Sequence, residues 1–453
     1  MSRQPLCQAC LRAAKHNDGL LSFNHLSLRL VVPSSRAYST ASRPIRRKDT
    51  RERELWTTCT RWQSTSTRRL TPIPAQEKAY ARLRPIIDAL PGSVDWAVAY
   101  GSGVIHQANA SPDQPAPMTD FLLSTPSPSQ FHTANLRQNP SHYPLYARFL
   151  GGRGVAWLQD SLGAGVWYVT MVHINGLEVK YGVISSDRLK KDLEEWETLY
   201  VAGRLQKPVL PLLTPPELVS SIHKNLISTV SLSLLLLPPG PFSELLLWET
   251  IAGISYSGDP RMSVPGAENP EKVKNIVRGE GSLEGFRRLY QDVMIEFKER
   301  GLAWAEDGDK SETTSDWDWR GRGRGERLLK QPESPSHTAH LLSLLPSHLQ
   351  RNLLKHFRPT IAGSMVDRDV RAARKEAKAK AQDQEQEQDK IEIWDKVARE
   401  ERLREMVLNE VRQIIRRPAL TQSIKGILTA GLVKGVKYAW AKFGKWLAGR
   451  RKR

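Results

Sequence analysis

Val94-Asp95-Trp96-Ala97-Val98-Ala99-Tyr100 runs into Gly101-Ser102-Gly103, and Met118-Thr119-Asp120-Phe121-Leu122-Leu123 follows a loop rich in Pro, Ser and Ala. The first run predicts a short strand, set off upstream by Pro91-Gly92. Asp120 to Leu123 begins a second strand. A strand, a Gly-Ser turn and an acid-bearing strand suit nucleotidyl transfer. That chemistry requires a cradled triphosphate, a divalent cation bridging its oxygens, and an attacking oxygen in line with the departing pyrophosphate. Small residues let backbone N–H groups approach phosphate, and the next carboxylate holds the cation. Tyr100, Gly101, Ser102 and Gly103 are therefore candidate nucleotide-binding residues, and Asp120 is the candidate catalytic ligand for Mg²⁺.

Upstream, Gln76 to Leu90 reads as a helix with Ala79, Leu83, Ile86, Ile87 and Leu90 on one face. Downstream, Trp167 to Ile174 and Leu177 to Ile184 flank Asn175-Gly176, a hairpin signal. Asp187 to Ala202 reads as a helix. Strands and helices thus mix over 69–213, which predicts one α/β or α+β domain. In the strand from Leu177, alternation sets Glu178, Lys180 and Gly182 on one face. An inward Lys180 can neutralise phosphate, and Glu178 is a weaker metal candidate. His132, Asn135, Asn139, His142 and Tyr143 cluster in a polar segment. His142 and Tyr143 suit a base, a ribose or a phosphate, and suit helix caps and buried backbone equally.

From Pro215 the pattern turns helical, with candidate helices over Pro216–Leu235, Phe242–Ser255 and Glu284–Arg300. A second, helical domain is assigned to 214–300 and 337–418. Residues 301–336 form a charged insertion containing Arg320-Gly321-Arg322-Gly323-Arg324, and 366–400 a charged low-complexity helix or insertion. An Arg-Gly run can bind RNA; a solvated insertion accounts for it with fewer assumptions. There is no internal repeat.

The formal net charge is +19 and 40% of residues are hydrophobic. Such a balance calls for an anionic partner: nucleic acid, nucleotide or acidic lipid. The three cysteines, Cys7, Cys10 and Cys59, lie near the N-terminus. No second Cys/His pair accompanies Cys7-x-x-Cys10, so neither a zinc site nor a disulfide framework is expected. Residues 1–68 are rich in Arg and Ser, with Asp18 the only carboxylate before Asp49. This is the composition of an import transit peptide, which a disordered basic tail would share. The most apolar run, Val230 to Trp248, is cut by Pro238, Pro239 and Pro241, so membrane contact is expected to be peripheral.

Several ordered blocks carry a specific resemblance. They include Ala99-Tyr100-Gly101-Ser102-Gly103-Val104, Asp120-Phe121, Phe131-His132-Thr133-Ala134-Asn135-Leu136 and Asn139-Pro140-Ser141-His142-Tyr143. Val179-Lys180-Tyr181-Gly182, Leu199 to Pro208, Ser255 to Met262, and Gln422 to Gly431 follow. Over 94–290 and 410–431 the chain resembles the mitochondrial translocator assembly and maintenance protein family, which are mitochondrial phosphatidate cytidylyltransferases. The resemblance implies CTP and phosphatidate as substrates, Mg²⁺ as cofactor and CDP-diacylglycerol, a precursor of cardiolipin and phosphatidylglycerol, as product. It also implies a polymerase-β-like nucleotidyltransferase domain followed by a winged-helix-like domain, with the site in the cleft between them. No nucleic acid partner is expected. The polymerase-β-like superfamily usually pairs two carboxylates one residue apart, whereas here position 122 is Leu122. The cation then uses Asp120 with another acid, Asp113 being the candidate, or with water and phosphate oxygens alone. Arg204, Gln206 and Lys207 form a basic loop suited to the phosphate monoester of phosphatidate. Arg261 suits it too, or pairs with Asp259.

Residues 419–453 end the chain with a basic amphipathic pattern. Leu432, Val433, Val436, Trp440, Phe443, Trp446 and Leu447 fall on one helical face, and Lys434, Lys437, Lys442 and Lys445 on the other. That pattern predicts an in-plane helix on anionic lipid, with Lys434, Lys437, Trp440, Phe443 and Trp446 as membrane contacts. It would hold the enzyme on the matrix side of the inner membrane, where phosphatidate resides in the bilayer.

Overall fold

The computed structural model describes residues 74–91, 93–101, 104, 118–262, 271–305, 327–357 and 393–430. The transit segment 1–68, Ser102, Gly103, Asp113, the Arg320–Arg324 run, most of 366–400 and the membrane contacts from Lys434 to Trp446 lie outside the described residues.

The fold is mixed α/β. Five strands, β1 (Trp96–Tyr100), β2 (Thr119–Thr125), β3 (Trp167–Ile174), β4 (Leu177–Ser185) and β5 (Leu210–Leu213), form one sheet in the order β3-β4-β2-β1-β5. β2 and β4 run parallel; the other neighbours are antiparallel. The β3–β4 turn is Asn175-Gly176 at φ 49° and 77°. Two positive φ values in succession give the turn twist that hairpin strands need, and Asn-Gly adopts them readily.

Alternation gives each sheet face its own core. On one face, Ala97, Ala99, Phe121, Leu123, Tyr181 and Val183 pack with Leu83 and Ile86 of helix Pro74–Asp88, Phe131 of helix Pro128–Gln138 and Val155 of helix Leu145–Ser161. On the other, Val98, Leu122 and Ile184 join a larger core. That core holds Leu226 and Val230 of helix Val219–Leu236, Trp248 of helix Glu244–Ile254, Phe286 and Tyr290 of helix Ser282–Glu299, and Val411 and Ile415 of helix Leu403–Ala430. Sheet and helices share this core. Within it, Arg287 donates to both carboxylate oxygens of Glu244, at 2.8 and 2.6 Å, beside the stacked rings of Trp248 and Phe286.

Four elements differ from the sequence expectations. The helices Pro128–Gln138 and Leu145–Ser161 occupy the segment read as polar and unassigned; the second is interrupted at Gly151 (φ 66°). The helix from Asp187 stops at Glu195 because Trp196 turns left-handed (φ 55°) and its N–H closes on Asp192 O. A small sheet, β6 (Gly240–Ser243), β7 (Trp304–Ala305) and β8 (Leu328–Gln331) in the order β6-β8-β7, takes one strand from the stretch read as helical and two from the ends of the 301–336 insertion. The apolar run Val230–Trp248 is thus helix, turn, strand and helix. No helix among the described residues is long and apolar enough to cross a membrane.

Helix Leu403–Ala430 continues through Pro418, so the boundary drawn between 418 and 419 falls within one element. It is seated closely. A Cβ at Gly258 would lie 2.4 Å from Arg412 O, so only glycine permits this approach. Further along, the Gln422 amide accepts from Ala164 N–H at 3.2 Å and donates to Val166 O at 3.0 Å. Buried Lys425 donates to the carbonyls of Gln159 and Leu162 at 2.8 and 2.9 Å.

Candidate active site

The strand register assembles the first part of the site. Tyr100 pairs with Asp120 across β1–β2, and Asp120 with Lys180 across β2–β4. These three side chains form a row on the face that carries Val98, Leu122 and Gly182. Lys180 Nζ donates to Asp120 Oδ1 at 2.9 Å and stands 4.8 Å above the Tyr168 ring. Gly101 turns the chain away at φ 83°, and a Cβ there would sit 3.5 Å from Asp120 Oδ2. Among the described residues, chain neighbours aside, nothing else comes within 4 Å of that position, so the missing side chain leaves space beside the oxygen. Burial, then the Asp120 charge, push the Tyr100 phenol above its ordinary value.

The facing wall is the loop after Trp196, and one buried carboxylate shapes it. Asp192 Oδ1 accepts from Thr198 N–H (2.9 Å), Thr198 Oγ1–H (2.8 Å) and Leu199 N–H (2.8 Å). Oδ2 accepts from Val201 and Ala202 N–H, both at 2.9 Å. Asn225 ties the same loop to the helical core, accepting from Trp196 Nε1 at 2.8 Å and donating to Ala202 O at 3.1 Å. The loop therefore presents Tyr200 and Arg204 in fixed positions. The Arg204 guanidinium lies 3.9 Å from the Tyr200 ring centroid and 5.9 Å from that of Tyr100, and donates to Tyr200 O.

Lys207 and Arg261 complete the wall. Lys207 Nζ donates to Gly203 O and, at 2.8 Å, to Ser255 Oγ, 5.4 Å from the Tyr256 ring. Lys272 reaches the same ring at 5.5 Å. Burial first, then the charges of Arg204 and Lys272, push the Lys207 amine down to about 7. Arg261 forks onto Asp259, with Nε 3.0 Å from Oδ1 and Nη2 2.5 Å from Oδ2. Hydrogen bonding and charge from Arg261 outweigh burial and hold Asp259 below its ordinary range.

Together these groups enclose a cavity of about 300 Å³, with Ile415 and Ala419 of the C-terminal helix closing one side. Among the described residues five cations line it, Lys180, Arg204, Lys207, Arg261 and Lys272, against two carboxylates, Asp120 and Asp259. Such a chamber is matched to a substrate carrying several negative charges.

Of the sequence candidates, Tyr100, Gly101, Asp120, Lys180, Arg204, Lys207 and Arg261 meet at this cavity. Gln206 does not line it; it is fully buried, and its carbonyl accepts from Tyr290 Oη–H at 2.9 Å. His142 and Tyr143 lie on the opposite face of the sheet. Tyr143 Oη meets His132 Nδ1 at 2.8 Å and Asn135 Nδ2 at 3.0 Å, and His142 Nδ1 meets Tyr181 Oη at 2.8 Å. These are structural bonds of the second core. Burial takes Tyr143 well above its ordinary range and pushes His132 down to about 4. Glu178 is exposed and pairs with His173 in the β3–β4 ladder, away from the cavity. The residues missed are Asp192, Thr198, Lys272, Ile415 and Ala419. A carboxylate seven residues before a Leu-Tyr-Val-Ala run is the only local signal for Asp192, and none marks Lys272 or the helix residues.

A family model described as "Phosphatidate cytidylyltransferase, mitochondrial" matches residues 83–445. The chain belongs to the mitochondrial phosphatidate cytidylyltransferase family. Relatives bearing that name include one from Danio rerio, 36% identical over 384 residues, covering 84% of this chain and 99% of the relative. Another, from Schizosaccharomyces pombe, is 34% identical over 377 residues, covering 83% and 86%. A Homo sapiens relative is 40% identical over 222 residues, 49% of this chain and 48% of its own. The family model spans β2 and β4 as well as the helix carrying Ile415, so every element described around the cavity falls inside the match.

Proposed function

We propose that this cavity transfers the cytidylyl group of CTP to phosphatidate, releasing pyrophosphate and forming CDP-diacylglycerol. The observation that carries the reading is the Asp120–Lys180 pair facing Arg204, Lys207 and Arg261 across one cavity, in a chain whose relatives are named for this reaction. An oxygen of the phosphatidate monoester bonds to the α-phosphorus of CTP. The bond from that phosphorus to the bridging oxygen breaks, and its electron pair leaves with pyrophosphate. The attacking oxygen is already ionised near neutral pH, so positioning and charge neutralisation dominate over general-base chemistry. Lys180 and Arg204 are assigned to the triphosphate, Lys207 and Arg261 to the lipid monoester.

The residues around Asp120 fit Mg²⁺. Among the described residues no group of three or more His, Cys, Asp or Glu forms a metal cage, and Mg²⁺ commonly uses one or two carboxylates with phosphate oxygens and water. Asp120 Oδ2, beside the clear space at Gly101, supplies that carboxylate. When bound, the ion would neutralise triphosphate oxygens and raise the electrophilicity of the phosphorus.

The five-stranded sheet is read as a polymerase-β-like nucleotidyltransferase core. The helices with the small β6-β8-β7 sheet are read as its winged-helix-like partner. The absence of a spanning helix among the described residues, the relatives' mitochondrial names and the basic C-terminal sequence support peripheral attachment to the matrix side of the inner membrane. The product then feeds cardiolipin and phosphatidylglycerol synthesis.

The test is purified full-length protein with radiolabelled CTP and Mg²⁺, given phosphatidate vesicles or RNA. Label in lipid is the expected result. Label in RNA, or no transfer to either, overturns the reading in favour of an RNA nucleotidyltransferase or a non-catalytic scaffold. A second expectation concerns pH. Lys207 is a cation below about 7 and loses charge above it, so its grip on phosphate weakens as pH rises through that value. kcat/KM should therefore fall on the alkaline side in wild type. Lys207→Arg, which stays charged, should flatten that limb; an unchanged profile would assign it to another group.

A further inference from the structure

We propose that helix Leu145–Ser161 and the exposed edge of helix Leu403–Ala430 form one face that docks on the interfacial zone of an anionic bilayer, bringing the cavity to its lipid substrate. Ten large hydrophobic side chains are exposed among the described residues; seven fall on these two helices and an eighth, Leu162, caps the first. Scattered exposed apolar residues need no explanation, whereas a concentration of them does. Before the Gly151 break, Leu145, Phe149 and Leu150 point outward, Phe149 being 89% exposed; after it, Trp157 is 67% exposed and Leu162 43%. Arg153, Trp157 and Ser161 are all exposed at successive i, i+4 positions, so a tryptophan and an arginine share one stripe. Tryptophan and arginine together suit the headgroup level of a membrane.

Charge identifies the occupant as anionic lipid. The one carboxylate of helix Leu145–Ser161, Asp160, faces the Arg188 guanidinium at 3.6 Å, and no Asp or Glu occurs from 121 to 159 or from 411 to 453. Arg148, Arg153, Arg416 and Arg417 are exposed. A face that is apolar and predominantly cationic is complementary to a negatively charged surface with an apolar interior. The two helices are fixed to each other by Lys425, whose ammonium binds the carbonyls of Gln159 and Leu162; Leu162 and Ile424, the neighbour of Lys425, are both exposed.

The same helix connects this face to the cavity. Ile415 and Ala419 line the cavity, and Ile424 is exposed five residues on, about 7 Å along the axis. The sequence then continues into the basic, Trp-bearing stretch from Leu432, which shares the face's character. A lipid whose chains remain in the bilayer can present its phosphate over such a distance. In this respect alone the inference rests on the function proposed above.

The experiment uses the full-length chain carrying Phe149→Glu and Trp157→Glu. Flotation with phosphatidylcholine vesicles, with and without phosphatidylglycerol, reads binding directly. Wild type should bind the anionic vesicles. The double variant should bind them at least about tenfold more weakly, since burying one large apolar side chain alone exceeds that factor. An unchanged melting temperature and unchanged turnover of short-chain phosphatidate in detergent would show that fold and cavity are intact. Equal flotation of variant and wild type overturns the proposal. So does a wild-type dimer that the variant dissociates without loss of vesicle binding, because the face then belongs to a second copy. Failure of wild type to transfer label from CTP in either presentation would strike the proposed function and leave the flotation result to stand by itself.

Discussion

Asp120→Asn lowers kcat for cytidylyl transfer by about 10²–10³ or more, the scale on which removal of a single charge-stabilising group acts in comparable sites, and leaves the protein folded. The substitution keeps shape and removes the charge. Asp120 is about one-quarter exposed, and its bond to Lys180 joins two groups at the mouth of the cavity. A pair so placed contributes at most about 1 kcal/mol to stability, so the melting temperature should move by only a few degrees. The catalytic loss is large because Asp120 has two duties. Oδ1 holds Lys180 in the row, and Oδ2 faces the clear space beside Gly101. Lys180→Met separates them: it should weaken triphosphate binding and turnover while leaving the Asp120 carboxylate available to the cation. Raised Mg²⁺ should then restore part of the Lys180→Met activity and none of the Asp120→Asn activity. Near-normal turnover by Asp120→Asn would remove this residue from the chemistry.

The row was legible in the sequence for a definite reason. Strand alternation fixes which face a residue takes, and a single lysine in an apolar strand has few reasons to point inward. The Asn-Gly hairpin was legible because its turn demands two positive φ values. The basic loop at Arg204 and Lys207 was visible as composition, although Gln206, its immediate neighbour, turned into the core. Misplacements came where the outcome depends on distant partners. His142 and Tyr143 looked like ligand-binding groups, yet the hydroxyls of Tyr143 and Tyr181 and the amide of Asn135 recruit this polar cluster to the far face of the sheet. Helix Leu145–Ser161 was missed because Gly151, Gly152 and Gly154 punctuate it and its largest apolar residues, Phe149 and Trp157, face outward while the smaller Ala147 and Val155 reach the core. Ile415 and Ala419 reach the cavity from more than 200 residues beyond the strands. The close approach at Gly258 that seats their helix has no local sequence signature.

Asp192→Ala should be the most damaging substitution for the fold near the site, costing about 3–5 kcal/mol, the scale of a few buried donors left unpaired at about 1–3 kcal/mol each. The carboxylate is 3% exposed and receives five hydrogen bonds from residues 198–202. Alanine leaves four backbone N–H groups and one hydroxyl without that acceptor, and each buried donor so abandoned costs about 1–3 kcal/mol unless the loop moves to reach water. The sum is not additive, because one loop movement relieves several groups together. Movement is itself the functional penalty: the same loop holds Arg204 between the Tyr200 and Tyr100 rings. In urea titration the midpoint should drop with little change in slope, and kcat/KM should fall even at temperatures where the variant remains folded. Asp192→Asn is the informative companion. It keeps one acceptor oxygen, so it should retain the bonds made to Oδ1 or to Oδ2 but not both, and fall between wild type and alanine in stability. Should Asp192→Ala melt within about 1 kcal/mol of wild type, the apolar packing of Leu199, Val201, Ala202 and Leu205 in the larger core would have to hold the loop by itself, and Arg204 would owe its position to the rings it stacks on.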